Sequence, residues 1–251
     1  MSGNDIIYGR QSVLETLKAG KRNLHKIWLL EGTAGDIIQE ILQLARAKGI
    51  PIEWSKRESL DKRTQGHHQG IVAQASAISF HSLDDFIAQL GDSSDPTVVV
   101  ALDEIQDPHN VGAILRSAGF FGVAAALVPK WRSAPVGETA ARVSSGAIEH
   151  VPLIKVTNLA QSITELQEAG FEVIGADMEG QAITKHVPGK RTAIVFGSEG
   201  TGLRRLVRER CDKLVAIPGG GKVSSLNVAA TAAIFLYVLC RRSSIGRAPV
   251  L

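Results

Sequence analysis

The chain has 251 residues, 44% of them hydrophobic and 5% aromatic, which is enough apolar material for one large core or two ordinary ones and too much for a disordered chain. The formal charge is only +3, so composition alone does not announce a nucleic-acid binder, but residues 1–76 hold 11 Lys/Arg against 8 Asp/Glu while the remainder balances at 17 against 17. Cys211 and Cys240 have no CxxC or Cys/His spacing, so neither a disulfide framework nor a zinc site is indicated. The N-terminus has no basic stretch followed by an apolar one, and the longest apolar run, Val228–Cys240, is too short for a bilayer. The expected class is a cytoplasmic globular protein with reduced thiols, no metal and no membrane association. The basic excess at the front reads either as contact with an acidic partner or as an uneven solvated face.

In chain order, Ser12–Ala19 has helical periodicity, Lys26–Leu30 is strand-like, Gly35–Lys48 repeats Ile37, Ile38, Ile41, Leu42 and Leu44 at helical spacing, and Ile52–Trp54 is a second strand. A Gly-His-His-Gln-Gly turn at 66–70 leads into a strand over Ile71–Ala75 and closes a small α/β unit near residue 76. Residues 77–96 combine a short helical pattern, Leu83–Leu90, with the polar run Gly-Asp-Ser-Ser-Asp-Pro and read as a linker. Beyond it, short aliphatic strands at Val98–Leu102, Val123–Val128, Val173–Ala176, Ala193–Phe196 and Leu214–Ile217 alternate with helices. Those helices are predicted at Val111–Phe121, Thr139–Ala147, Leu159–Ala169, Leu203–Arg210 and Leu226–Leu239. This alternation implies a parallel sheet covered on both faces, with ligands at the carboxyl ends of its strands. The division is therefore 1–76, a linker at 77–96, a second domain at 97–242 and a disordered tail at 243–251.

Three loops after strands carry the candidate chemistry. In the first, Asp103 to Ala118, Asn110 is a natural helix cap and Arg116 follows a turn and a half into the helix; the structural alternative is a plain cap and a solvated charge. In the second, Phe196-Gly-Ser-Glu-Gly-Thr-Gly-Leu-Arg-Arg, three glycines permit close backbone approach to a ligand, although Glu199 could simply favour a helix start. In the third, Ile217-Pro-Gly-Gly-Gly-Lys-Val-Ser-Ser225-Leu-Asn227-Val, a phosphate-loop reading fails because Val223 stands where Ser or Thr would hold Mg²⁺ and Ala216 where a Gly is needed; Ser225 or Asn227 as a plain cap remains the alternative.

Together, Asn-x-Gly-x-x-x-Arg, Gly-Ser-Glu-Gly-x-Gly and Ser-Leu-Asn-Val, in that order across residues 98–240, resemble the three signature motifs of SpoU-type methyltransferases. The Ile-Tyr-Gly opening, the His-Gln-Gly-Ile strand, Val-Pro-Lys at 128–130 and Val-Pro-Leu-Ile-Lys-Val-Thr-Asn-Leu-Ala at 151–160 resemble the ribosomal RNA guanosine-2′-O-methyltransferase branch. Gly219 departs from the pattern, standing where relatives usually carry Met.

The resemblance implies a knotted α/β fold, in which a parallel-sheet trefoil catalytic domain of the SPOUT type follows a small α/β RNA-binding domain. It implies S-adenosylmethionine as cofactor, lined by Gly197, Ile217 and Leu226, and a homodimer with the C-terminal helix at its interface. The implied activity is ribose 2′-O-methylation of a guanosine in 23S ribosomal RNA; the alternatives are a transfer RNA enzyme and a non-catalytic RNA-binding protein. Arg116 would act at the 2′-hydroxyl, with Asn110, Glu199, Ser225 and Asn227 positioning substrate and one another. Lys21, Arg22, Arg46, Lys56, Arg57, Lys62 and Arg63 are candidate phosphate contacts. Trp28 and Trp54 read as core, and His67 and His68 as a solvated turn.

Overall fold

The structure, a computed structural model, describes residues 4–64, 66–91, 96–223 and 225–241. The expected tail at 243–251 and most of the polar run after Gly91 lie outside them. Two compact units are present, one comprising residues up to Ser79 together with Pro135–His150, the other Phe80–Ala134 and Val151 onward.

The first unit is a four-stranded sheet in the order β1-β4-β2-β3, built from β1 (Asn4–Tyr8), β2 (Leu24–Leu30), β3 (Ile52–Ser55) and β4 (Ile71–Ser76). β4 pairs antiparallel with both neighbours, and β2 runs parallel to β3. Side chains alternate across the sheet, so Ile27 and Leu29 join one core while Trp28 and Leu30 join another. The larger core is closed by α1 (Arg10–Ala19), through Val13, Leu14 and Leu17, and by α2 (Asp36–Ala47), through Ile38, Ile41 and Ala45 at i, i+3 and i+7. The smaller one gathers Tyr8, Trp28 and Val72 under Leu60 of α3 (Arg57–Asp61).

Two expectations fail in this unit. Trp54 is 50% exposed, because β3 is the edge strand and its outer residues lack a covering element. Arg22 is not a phosphate contact: it is 6% exposed, its Nε donates to the Ser76 carbonyl at 2.7 Å, Nη2 meets Asp5 Oδ2 at 2.7 Å and Nη1 meets Glu149 Oε1 at 3.2 Å. Glu149 follows α6 (Glu138–Val143), and Thr16 Oγ1 donates to the same oxygen at 3.3 Å. A further close approach lies nearby, since a Cβ on Gly146 would stand 2.3 Å from Glu15 Cβ. The buried ion pair and this tight contact explain why 135–150 belongs with the first unit.

The second unit is a six-stranded, wholly parallel sheet in the order β10-β8-β9-β5-β6-β7. Its strands are β5 (Thr97–Asp103), β6 (Ala125–Pro129), β7 (Leu153–Val156), β8 (Glu172–Ala182), β9 (Arg191–Gly197) and β10 (Lys213–Ala216). β7, four residues on the edge, is additional to the five predicted strands. One face packs Val99, Ala101 and Val195 against Leu159, Ile163 and Leu166 of α7 (Leu159–Glu168) and Val207 of α8 (Arg205–Arg210). It also takes Leu83 from α4 (Leu83–Ala88), so the segment expected as linker contributes to the core. On the other face lie α5 (Pro108–Phe121) and α9 (Val228–Arg241), with Phe196 of β9 meeting Phe235 of α9 edge to face at 5.7 Å. α9 is not buried all round: Ala232, Phe235, Leu236 and Leu239 face inward, whereas Ile234 and Tyr237 are exposed. Among the described residues no helix is long and apolar enough to cross a membrane.

Burial pushes the Cys211 thiol up to about 12 and the Cys240 thiol up to about 11. Both should therefore stay protonated and react with a thiol reagent far more slowly in the native protein than in the unfolded one at pH 8. Because the folded values lie above the unfolded ones, this stabilising contribution is complete below about pH 9 and fades as pH rises through about 11 to 12. Stability measured across that window should fall, and a flat profile would contradict the burial of Cys240 and the half-burial of Cys211.

Candidate active site

The candidate site lies at the carboxyl ends of β5, β9 and β10, where a parallel sheet leaves its ligand crevice. Two buried or short contacts fix its loops. Asp103, fully buried at the end of β5, accepts from the Arg204 backbone N–H at 2.8 Å and from Arg204 Nε at 2.7 Å. Both bonds are charge-assisted, so the loop after β9 is tied to the end of β5. Sequence reasoning assigned Asp103 and Arg204 no role; the available signal was a carboxylate closing a run of five aliphatic residues, since a charge at such a position needs a partner.

Within the second loop, Ser198 and Gly202 exchange backbone hydrogen bonds of 3.1 and 3.0 Å, and Gly200 and Gly202 adopt φ of 87° and 68°. Gly197 is required by contact: a Cβ there would stand 2.2 Å from the Gly202 carbonyl carbon. The glycines of the third loop are not crowded in this way, for Gly219, Gly220 and Gly221 have open space where a Cβ would lie.

Asn110, Glu199 and Asn227, 89 and 28 residues apart along the chain, form a closed hydrogen-bonded ring. Asn110 Nδ2 donates to Glu199 Oε1 at 2.9 Å, Asn227 Nδ2 donates to the same oxygen at 2.7 Å, and Asn227 Nδ2 also donates to Asn110 Oδ1 at 3.0 Å. Both amide orientations are thereby fixed, and Glu199 Oε2 is left without a donor among the described residues. Asn227 also caps α9, its Oδ1 accepting from the N–H groups of Ala229 and Ala230 at 2.9 and 3.3 Å, as its structural alternative expected. Asn110 is not a cap. Asp107 occupies that position, accepting from the His109 N–H at 2.8 Å, with Pro108 in the first turn and Asn110 buried inside the helix. The backbone bond from His109 holds the Asp107 carboxyl below its usual range.

The other two predicted residues stand apart from the ring. Ser225 is exposed and has no hydrogen bond to another described residue. Arg116 is exposed on α5, likewise unpaired among the described residues, and six positions beyond Asn110 it projects about 120° away around the helix. One turn further, Phe120 shares its face and is 76% exposed. Phe120 packs on Phe121 at 5.1 Å, and Phe121 on Tyr237 of α9 at 6.3 Å. Of the predicted cofactor positions, Gly197 ends β9, Ile217 follows β10 half-buried, and Leu226 is 53% exposed.

Residues 97–237 match the SpoU rRNA Methylase family model, and residues 6–81 match the model for RNA 2′-O ribose methyltransferase substrate binding. This chain belongs to the SpoU methylase family. It is accordingly an RNA methyltransferase of the SpoU type. Among its relatives, YacO of Bacillus subtilis, assigned to the TrmH family of tRNA/rRNA methyltransferases, is 39% identical over 240 residues, covering 95% of this chain and 96% of that one. The 23S rRNA (guanosine-2′-O-)-methyltransferase RlmB of Vibrio parahaemolyticus is 40% identical over 246 residues, with 95% and 97% covered. The SpoU methyltransferase AviRb of Streptomyces viridochromogenes, solved with S-adenosylmethionine, superposes with a TM-score of 0.77 at 22% identity over 96% of this chain and 90% of that one, a likeness of fold.

Proposed function

We propose that this SpoU-family protein transfers a methyl group from S-adenosylmethionine to the ribose 2′-hydroxyl of a guanosine in 23S ribosomal RNA. The observation that carries the proposal is the Asn110–Glu199–Asn227 ring at the strand ends, one helical segment from Arg116, which is unpaired among the described residues. The relation to RlmB over nearly the full length of both chains supports the ribosomal substrate and the guanosine.

The residues present fit the donor. Gly197 brings backbone to the strand end, Gly219–Gly221 leave open space, and Ile217 and the exposed Leu226 offer apolar contact for an adenosine moiety. When bound, the donor supplies a sulfonium methyl to the ribose oxygen and departs as a neutral thioether, so its leaving group needs no acid. What the chain must supply is alignment, together with help for a weakly acidic hydroxyl. Glu199, its Oε1 held by two amides, presents Oε2 to a donor group of the substrate. Arg116 cannot serve as a base, since guanidinium keeps its proton. It stabilises the developing alkoxide, and the proton leaves to water or a phosphate oxygen.

Phe120 shares the face of α5 that carries Arg116, and Tyr237 and Ile234 of α9, the helix that Phe121 packs against, are exposed as well. Such an apolar patch is covered in a homodimer, which would bring Arg116 to the site of the other subunit. Phe120→Glu should convert a dimer into a monomer in light scattering and lower methyl transfer with it; a dimer that persists would contradict this use of the face. The parallel order β10-β8-β9-β5 and the backbone crowding at Gly197 are compatible with the trefoil knot, which belongs to the same proposal.

Mapping ribose methylations in RNA from cells with and without the protein tests the substrate. One mark lost from a guanosine of 23S rRNA is expected. A mark lost from transfer RNA instead would establish the second reading, since the description of YacO names tRNA and rRNA alike.

A further inference from the structure

Within the first unit, a cavity of about 500 Å³ opens between β2, α3 and the turn that precedes β4. That volume is in the range of small-molecule sites, about 300–1,000 Å³. Polar and charged side chains, Arg10, Arg57, Asp61, His67, His68 and Gln69, line it together with Leu30, Thr33 and Gly70.

The turn is built rather than loose. His68, expected as solvated, is 5% exposed. Its Nδ1 accepts from the Gly70 N–H at 2.9 Å, so Nε2 carries the ring proton and donates to Asp61 Oδ1 at 3.0 Å. Gln69 and Gly70 adopt φ of 54° and 82°, and a Cβ on Gly70 would meet Thr33 Oγ1 at 2.7 Å, so glycine keeps that space open. Arg10 is held in place, its backbone N–H donating to Gln69 Oε1 at 3.0 Å and its Nε to the Gln69 carbonyl at 3.1 Å. Its terminal nitrogens have no partner among the described residues. Among the described residues Arg57 is restrained only by a 3.9 Å approach of Nε to Asp61 Oδ2, beyond hydrogen-bond distance, and its terminal nitrogens have no partner there.

Two guanidinium groups whose forks have no partner among the described residues suit recognition of a phosphate. An exposed imidazole, His67, beside the apolar wall of Leu30 offers a flat, unpaired base something to stack on. The Asp61 carboxylate is already engaged by His68. We propose that this cavity binds one unpaired ribonucleotide of the RNA substrate, distinct from the nucleotide that is methylated. The proposal rests on the reading that this chain methylates RNA.

The test uses the full-length protein and single-stranded RNA oligonucleotides carrying 4-thiouridine or, separately, 6-thioguanosine, irradiated and mapped by mass spectrometry. At least one probe is expected to crosslink to the peptide that contains His67–Gly70. In parallel, Arg10→Ala/Arg57→Ala should weaken binding of the same RNA by about tenfold or more and flatten its salt dependence by about 0.7 in log–log slope per lost phosphate contact. The matched charge loss Lys18→Ala/Lys26→Ala should stay within about twofold of wild type. Crosslinks from both probes that all map elsewhere, or an affinity unchanged in the double variant, would overturn the proposal. Because these readouts are independent of methyl transfer, a wild-type protein that crosslinks here but methylates no RNA would refute the enzymatic reading alone.

Discussion

Replacing Arg116 by alanine is expected to lower the methyl-transfer rate by about two to three orders of magnitude, the usual loss when one preorganised donor to a developing oxyanion is removed. The fold should not notice, because the side chain is exposed and unpaired among the described residues; such surface changes usually stay within about 0.5 kcal/mol. Arg116→Lys keeps the charge but loses the planar fork and should remain severely impaired. Single-turnover rates at saturating RNA, measured beside the thermal midpoint, separate the two effects. A near-normal rate in the lysine variant would show that the fork plays no part.

The largest stability effect is expected in the first unit. Arg22→Met leaves Glu149, whose side chain is 4% exposed, with Thr16 Oγ1 as its remaining hydrogen-bond donor among the described residues. Breaking a buried pair in this way costs roughly 3–5 kcal/mol, since the remaining charge is uncompensated. Arg22→Met/Glu149→Leu should recover most of that loss, because a hydrophobic pair of similar volume avoids the desolvation cost. Denaturant titration followed by tryptophan fluorescence in a Trp131→Phe background reports on this unit, which holds both Trp28 and Trp54. A loss below about 1 kcal/mol in Arg22→Met would mean that water reaches Glu149.

Where local pattern decides structure, the sequence was readable. Aliphatic runs such as Val98–Leu102 became β5, and the i, i+3, i+4 spacing of α2 became a helix with one buried face. The exceptions depend on tertiary placement. The stretch Thr139–Ala147, read as one helix, ends at Val143, and the chain turns through Ser145 and Gly146 at positive φ before Glu149 reaches Arg22. Trp54 and Arg22 exchanged their expected environments because sheet order, which periodicity cannot encode, put β3 at an edge and Arg22 beside a second carboxylate.

The site was legible residue by residue but not as an arrangement. Asn110, Glu199 and Asn227 were each singled out, yet only the register that sets Asp103 opposite Gly197 brings the first two loops together. Asp103 and Arg204, which lock those loops, carry no signature beyond a charge at a strand end. His68 was passed over because a His-His-Gln-Gly turn is polar on paper, whereas its buried ring is satisfied by a backbone N–H and a carboxylate.

The most direct measurement is methyl transfer by the purified protein from labelled S-adenosylmethionine to ribosomal RNA, followed by digestion to nucleosides and mass spectrometry. Label confined to 2′-O-methylguanosine, and lost in Arg116→Ala, is the expected result. Label on a base, or on no nucleoside of any RNA offered, would contradict the assignment of this site to the ribose hydroxyl.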